Sequence, residues 1–292
     1  MWHAVFVPNW PTLRRRRLAR ELNNLRESID MTIEEAAASA GISPSHLSRV
    51  ERALVGVRVP AVRALLATYG ASASMTASLL EVAQASAQRG WWHRYAGSIP
   101  DEYATYIGFE SDAARIWNFE LISIPGLMQT EGYTRSILQR GVARLTDGEI
   151  ERRIEVRMRR QALLYREDPP TLWVVLDEAA IRRQVGGAET MAEQMGHLAT
   201  IAVLPHVDVQ IVPFGAGAHP GAPGGFVILR FADPADRDVV YIETMAGDLY
   251  PEGDADVQGA ALAFDRLRAM ALSPDDSASI IRNAAEEFHD RL

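Results

Sequence analysis

Residues 43–49 read SPSHLSR, so within seven positions the chain gathers Ser43, Ser45, His46, Ser48 and Arg49. Hydroxyls and an imidazole donate and accept hydrogen bonds, and a guanidinium offers a planar fork of donors that matches paired acceptors. That is chemistry for reading a polar surface such as a base-pair edge or a phosphate. Elsewhere, His197, His206 and His219 with Asp177, Glu178 or Glu243 could suggest a metal, but their spacings match no ligand motif. The carboxylates at 177–178 and at 243 end strand-like runs, and ion pairs with Arg157, Arg160 or Arg182 are the expectation there. Gly186-Gly187 and GAGAHPGAPGG (215–225) lack the helix entry and lysine of a phosphate loop, and they read as turns, the second a lip over a pocket. No nucleophile or metal constellation appears, so the chain is expected to be no enzyme and to need no cofactor.

The elements that would carry the polar heptad are short helices. TLRRRRLARELNNLRES sets Leu18, Leu22 and Leu25 on one face, and its arginines spread around the axis, so only two of them, taken as Arg15 and Arg16, are expected to meet phosphate. MTIEEAAASAG opens with Thr32 as N-cap, carries Glu35 as the capping-box partner and stops at Gly41. Ser43 caps the next helix and Pro44 takes its first turn, where a missing N–H costs nothing. VPAVRALLATYG and SMTASLLEVAQASAQRG supply a fourth and a fifth helix. Two short helices crossing steeply need a left-handed residue between them and a small residue inside the first, which are Gly41 and Ala37 here. Ile42, Leu47 and Val50 then face inward, and the serines, His46 and Arg49 are left outside.

A plain helical hairpin would share this pattern. Against it stand the short hydrogen-bonding residues on the outer face, the RRRR run at 14–17, and the local charge. Residues 1–98 hold 12 Arg against 7 Asp and Glu, a net of +5, whereas the remainder holds 18 Arg against 31 acids, a net of −13. The sequence contains no Lys, so arginine abundance alone argues nothing, but a basic head on an acidic body points to a polyanion at the head. With no cysteine, neither disulfides nor thiolate metal sites are available. No apolar run approaches a bilayer span and no targeting signal is evident, so the expected compartment is the cytoplasm, without membrane contact.

Thr32, Ala37, Gly41, Ser43, Leu47, Ser48, Arg49 and Glu51 resemble the Xre/Cro-type repressor family, whose usual form runs T-Q-x-x-L-A…G-x-S-x-x-x-L-S-R-x-E. Ile33 stands where that pattern often has a DNA-backbone-contacting Gln. PGLMQTEGYTRSIL (125–138), RMRRQALL (157–164), VVLDEAAIRRQVGG (174–187), VDVQIVPFGAGAHPG (207–221), DVVYIE (238–243) and FDRLRAMALSPDDS (264–277) resemble the C-terminal domain joined to this head in actinobacterial regulators. The resemblance implies a lambda-repressor-like head, a recognition helix over 44–52 in the major groove, and double-stranded DNA as partner. The expected DNA-binding set is Arg15, Arg16, Thr32, Ser43, Ser45, His46, Ser48, Arg49 and Arg52. Arg49 is the candidate for guanine, whereas base and phosphate contacts are not separable for Ser45, His46 and Ser48. It further implies a transcriptional regulator, and because one such head would read too few base pairs, a homodimer on half-sites about 34 Å apart is expected. Its C-terminal domain would take an unknown small-molecule effector. The alternative is an antitoxin-like protein that neutralises a small cognate partner encoded nearby.

The fold class expected is α+β. A tail (1–11) precedes an all-α helix-turn-helix head (12–87), an aromatic connector packed on the next domain (88–106), and a mixed α/β domain (107–292) with a mainly antiparallel sheet. In that last domain FESDAARIWNFELIS, TEGYTRSILQR, DGEIERRIEVRMRRQALLYRE, TMAEQMGHLATIAV and QGAALAFDRLRAMAL read as helices. TLWVVLD, VDVQIVPF, GGFVILRF and DVVYIET read as strands, the last two antiparallel across DPADRD. Trp91, Trp92, Tyr95, Tyr103, Trp117 and Phe119 are expected to gather at the junction as inter-domain core, the alternative being a ligand or partner groove that Met128 could line.

Overall fold

The computed structural model describes residues 12–87, 90–251 and 253–292, so the tail, 1–11, lies outside the described residues. Two compact units result. One holds the described residues up to Ala96 together with Pro100–Phe109, and the other holds Gly97–Ile99 and Glu110–Leu292.

The first unit is helical: α1 (Leu13–Ser28), α2 (Ile33–Ser39), α3 (Pro44–Glu51), α4 (Val59–Thr68) and α5 (Ala73–Ala87). Its core is made by Leu18 and Leu22 of α1, Ala36 and Ala37 of α2, Leu47 and Val50 of α3, and Val62, Leu65 and Leu66 of α4. Ile33 packs against this core from the side. Helices α1 to α4 all stop in the same way. The N–H groups of Met31, Ile42, Leu54 and Ala71 return to the carbonyls of Arg26, Ala37, Arg49 and Leu66 at 2.9–3.2 Å. The residue before each donor is left-handed: Asp30, Gly41, Ala53 and Gly70, with φ from 51° to 69°. A gently curving chain is thereby cut into short rods with sharp corners, which lets α3 cross α2. Thr12, Thr32 and Ser43 cap the starts of α1, α2 and α3 with side-chain acceptors, and Thr32 forms the full capping box with Glu35.

The aromatic stretch continues with a 3₁₀ turn over Trp91–Tyr95 and with α6 (Asp101–Asp112). Trp91 meets Trp92 and Tyr95 edge to face, Gly108 lies against Trp92 and Thr12, and the Arg16 guanidinium sits 4.8 Å above the Phe109 ring. The structure thus gathers residues 90–96 and 100–109 with the helical head.

The second unit is a six-stranded mixed sheet flanked by helices: β1 (Arg115–Glu120), β2 (Thr171–Asp177), β3 (Val207–Val212), β4 (Phe226–Arg230), β5 (Val239–Thr244) and β6 (Gly247–Leu249) in the order β3-β2-β1-β4-β5-β6. The pairs β1–β2 and β2–β3 are parallel, and β1–β4, β4–β5 and β5–β6 are antiparallel. Parallel neighbours need helical crossovers. They are α7 (Glu131–Arg140) with α8 (Asp147–Arg160), then α9 (Glu178–Arg182) with α10 (Ala188–Ile201). Helix α11 (Asp254–Met270) places Phe264 and Leu267 on one face of the sheet against Phe119, Val175, Val212, Ile228 and Val240. Alternate residues point to the other face, where Ile116, Leu172, Val174 and Leu229 are buried as well. Helix α12 (Pro274–His289) packs on α10 and β3.

One element differs in kind from the sequence reading. FESDAARIWNFELIS was expected to be helical, but α6 ends at Asp112 and Arg115–Glu120 is a central strand. A single turn of helix formers precedes a six-residue run whose pairing partners, β2 and β4, lie more than 50 and 100 residues on, and long-range pairing overrides local preference. Trp117 and Phe119 accordingly belong to the sheet: Trp117 stacks on Phe264 at 5.1 Å, and Phe119 meets His219 and Phe226. The six aromatic residues are thus divided between the two units. Met128 is fully buried.

The shared corner geometry makes a two-sided prediction. Gly41→Ala meets no atom within 4 Å, so its effect is backbone strain alone, a loss of about 1 kcal/mol. Asp30→Gly removes the same strain from an exposed side chain and should stabilise the head by up to about 1 kcal/mol. Native-state hydrogen exchange of the Leu47 and Leu65 amides measures both, and shifts of the same sign would refute the shared corner.

Candidate functional site

Helix α3 is held at both ends. At its start the Ser43 hydroxyl accepts the His46 N–H at 3.2 Å, and Gly41 turns the chain with φ 64°. At its end Glu51 is grasped by Arg26 of α1, Nε to Oε1 at 2.8 Å and a terminal nitrogen to Oε2 at 2.9 Å. Arg26 also donates to the Met31 carbonyl and to Asn23 Oδ1. The pair is nearly enclosed, with side chains 11% and 5% exposed, and the bonds to Glu51 hold the Arg26 pKa above its ordinary value. Neither Arg26 nor its role was visible in the local pattern. Glu51 was noticed only as a motif residue, and its partner is 25 positions away.

With Leu47 and Val50 inside, the remaining α3 side chains form one outer surface. Ser45, Arg49 and Arg52 are exposed, and His46 and Ser48 are half-buried. Arg52 folds its Nε back to the Ser48 carbonyl at 3.1 Å. The Ser43 oxygen accepts a backbone N–H and keeps its own proton for an outside acceptor. Thr32 is committed more fully, since its hydroxyl donates to Glu35 at 2.7 Å while it caps α2. On α1, Arg15 and Arg16 are partly buried. Burial lowers the Arg15 pKa, and Arg16 covers Phe109. The structure therefore unites Ser43, Ser45, His46, Ser48, Arg49 and Arg52 on one short helix, and it places Arg15, Arg16 and Thr32 on other elements.

In the second unit the proposed ion pairs resolve individually. Glu178 pairs with Arg182 at 3.2 Å and accepts the Phe214 N–H. Arg160 grips Glu110 in a buried bidentate pair, and Arg157 donates to Gln129 Oε1. Asp177 caps α9 through the Ala179 N–H and meets His219 Nε2 at 3.1 Å. With the Gly221 N–H on its Nδ1, the His219 imidazole is a strut that pins the glycine-rich 215–225 loop to the sheet. His197 and His206 lie apart from it, each with a buried Nε2 that has no hydrogen-bond partner.

The residue missed most completely is Glu120, because the sequence reading hid it inside a helix. It ends β1, and burial is the main cause that pushes its carboxyl from 4.5 up to about 7, with Glu243 adding to the rise. The Ser123 hydroxyl at 3.1 Å, the Asn118 amide and Arg157 oppose it.

Two outcomes follow. Glu51→Ala leaves the Arg26 charge buried without its partner and should lower the protection of the α3 amides by about 3 kcal/mol, measured by native-state hydrogen exchange. For Glu120 the folded value lies above the unfolded one, so between pH 4.5 and about 7 the unfolded chain releases a proton that the folded chain keeps. Stability should fall across that window and stay lower above it. Glu120→Gln should remove the fall and gain on the order of 2 kcal/mol at pH 8, read from urea midpoints at pH 5 and pH 8. Equal midpoint shifts at the two pH values would contradict the raised carboxyl.

Residues 17–79 match a family model described as a helix-turn-helix domain, in agreement with the geometry of α2 and α3. No curated protein and no solved structure matches the chain. Among the described residues no helix is long and apolar enough to cross a membrane. The second unit is matched by a model that spans residues 103–283, well over half of the sequence, and described as a domain of unknown function, DUF5753. With a helix-turn-helix domain in front, the chain belongs to the DUF5753 family.

Proposed function

We propose that this chain is a sequence-specific transcriptional regulator of the Xre/Cro type, with α3 lying in the DNA major groove. The observation that carries this reading is the division of α3 into an inner face, Leu47 and Val50, and an outer face of hydrogen-bonding side chains that ends in exposed Arg49. A helix whose outer face served only solvation would not need three serines and an imidazole there. Arg49, exposed on that surface, pairs with guanine through two N–H donors. Ser43, at the N-terminus of α3, meets phosphate with its free hydroxyl proton, where helix N–H groups also favour an anion. Ser45, His46 and Ser48 take neighbouring base edges or phosphates. Arg15, Arg16 and Arg52 add charge that positions the head without specifying sequence.

One such head reads few base pairs, so the working species is a homodimer on half-sites about 34 Å apart. The acidic second unit is the regulatory part, biasing DNA affinity by binding an effector better in one state than in the other. Catalysis is no part of this reading.

Fluorescence anisotropy with a duplex from the protein's own upstream region tests it. The wild type should bind with a steep loss of affinity as salt rises. Arg49→Ala should reduce discrimination between that site and a guanine-substituted one by about 1–3 kcal/mol. Undiminished discrimination would remove Arg49 from the reading set, and no binding at low ionic strength would overturn the regulator itself.

A further inference from the structure

Strands β1, β2 and β5 finish at the same edge of the sheet, and each carries a carboxylate there: Glu120, Asp177 and Glu243. Asp177 is occupied by His219 and the Ala179 N–H. The other two share the opposite face. Asn118 pairs with Val227, and Val227 with Tyr241. Gly225, just before β4, lies beside Glu120, and the same alternation puts Glu243, which pairs with Asp248 of β6, on the same face, with side chains directed away from α11.

Gly225 supplies no side chain there. A Cβ there would lie 2.9 Å from the Phe119 carbonyl oxygen and 3.2 Å from a Glu120 carboxylate oxygen. The missing side chain is what allows the Glu120 carboxylate to lean over β4. Asn118, on the same strand and face as Glu120, is 7% exposed. Its amide bonds the Glu120 carboxyl, and its Oδ1 has no hydrogen-bond partner. The Tyr133 hydroxyl nearby is already an acceptor, taking the Ile124 N–H at 3.1 Å. Glu120 already accepts from Ser123 and from the Asn118 amide, the Tyr133 hydroxyl keeps its own proton, and Arg157 donates to Gln129, so Asn118 Oδ1 is the acceptor here that is left without a donor. Ile122 and Met245, two residues beyond Glu120 and Glu243 in the chain, are 54% and 95% exposed.

We propose that the face holding Glu120, Gly225 and Glu243 is a binding site for a small organic ammonium ion. The N–H groups of the ligand donate to Glu120 and to the unsatisfied Asn118 Oδ1, Glu243 completes the charge, and the hydrocarbon part lies against Ile122 and Met245. Two inter-strand spacings, about 10 Å, separate the backbones of the two glutamates. That span suits an amine on a short chain better than a single metal ion, which needs oxygen ligands converging at about 2–2.6 Å. Among the described residues no group of three or more His, Asp and Glu converges in that way. This inference deepens the effector reading and rests on it only for the consequence at DNA.

The test uses the full chain and butylammonium as probe, with butanol as its uncharged counterpart, followed by saturation-transfer NMR at pH 8. Butylammonium should bind, butanol should not, and Glu120→Gln should weaken binding about tenfold by removing a charge-assisted hydrogen bond. Glu243→Gln, at an exposed position where folding is not at stake, should weaken it as well. Equal binding of butanol and butylammonium would overturn the site, and so would undiminished binding by both variants, or displacement of the probe by millimolar Mg2+ or Ca2+. DNA affinity is then measured with and without the probe. A change supports the effector role, whereas an unchanged value beside Glu120-dependent binding upholds the site and removes only that role.

Discussion

The presentation of α3 depends on the Arg26–Glu51 pair. A helix of eight residues has too little surface to orient itself by apolar contact alone, since Leu47 and Val50 are the only fully buried side chains it contributes. Two hydrogen bonds from a planar guanidinium fix both the distance and the roll of the helix end against α1. A buried ion pair of this kind adds little net stability over an apolar pair of the same shape, but it does not tolerate a rotated arrangement. Rotation matters here because a roll of α3 would carry Arg49 away from the centre of the outer face and lift Val50 out of the core.

The opposite end of α3 is governed by backbone conformation. Gly41, the Ser43 cap and Pro44 determine where the helix begins, so α3 is constrained by local chemistry at one terminus and by a tertiary contact at the other. Ile33, in the position where related patterns carry a polar residue, packs on the core. It therefore strengthens the start of α2 as an apolar anchor and contributes no polar group to the surface.

In the second unit β1 plays a comparable part. It is the strand at which the sheet changes from parallel to antiparallel pairing, and crossover connections leave it on one side only. Ligands of open mixed sheets tend to bind beyond the carboxyl ends of strands at such a change of direction. Here that end carries Glu120, roofed on one face by Phe119 and the pinned 215–225 loop. The closest packing of the loop is at Gly221, where a Cβ would fall 2.2 Å from the Phe119 ring. The loop expected to be a lip is thus fastened to the sheet edge by His219 and Asp177.

The helical head was legible in the amino-acid sequence because what defines it is local. Caps at Thr32 and Ser43, the stop at Gly41 and the inward set Leu47 and Val50 all act within one or two helical turns, and the same holds for strands β2 to β5, bounded by turn residues. What only the tertiary structure decided involves partners far apart in the chain. Arg26 and Glu51 are too distant for any periodicity to join them. Arg115–Glu120 becomes a strand because two other strands are there to receive its hydrogen bonds. The approach of Glu120 to Gly225 is a property of sheet register, which side-chain pattern within one segment does not encode.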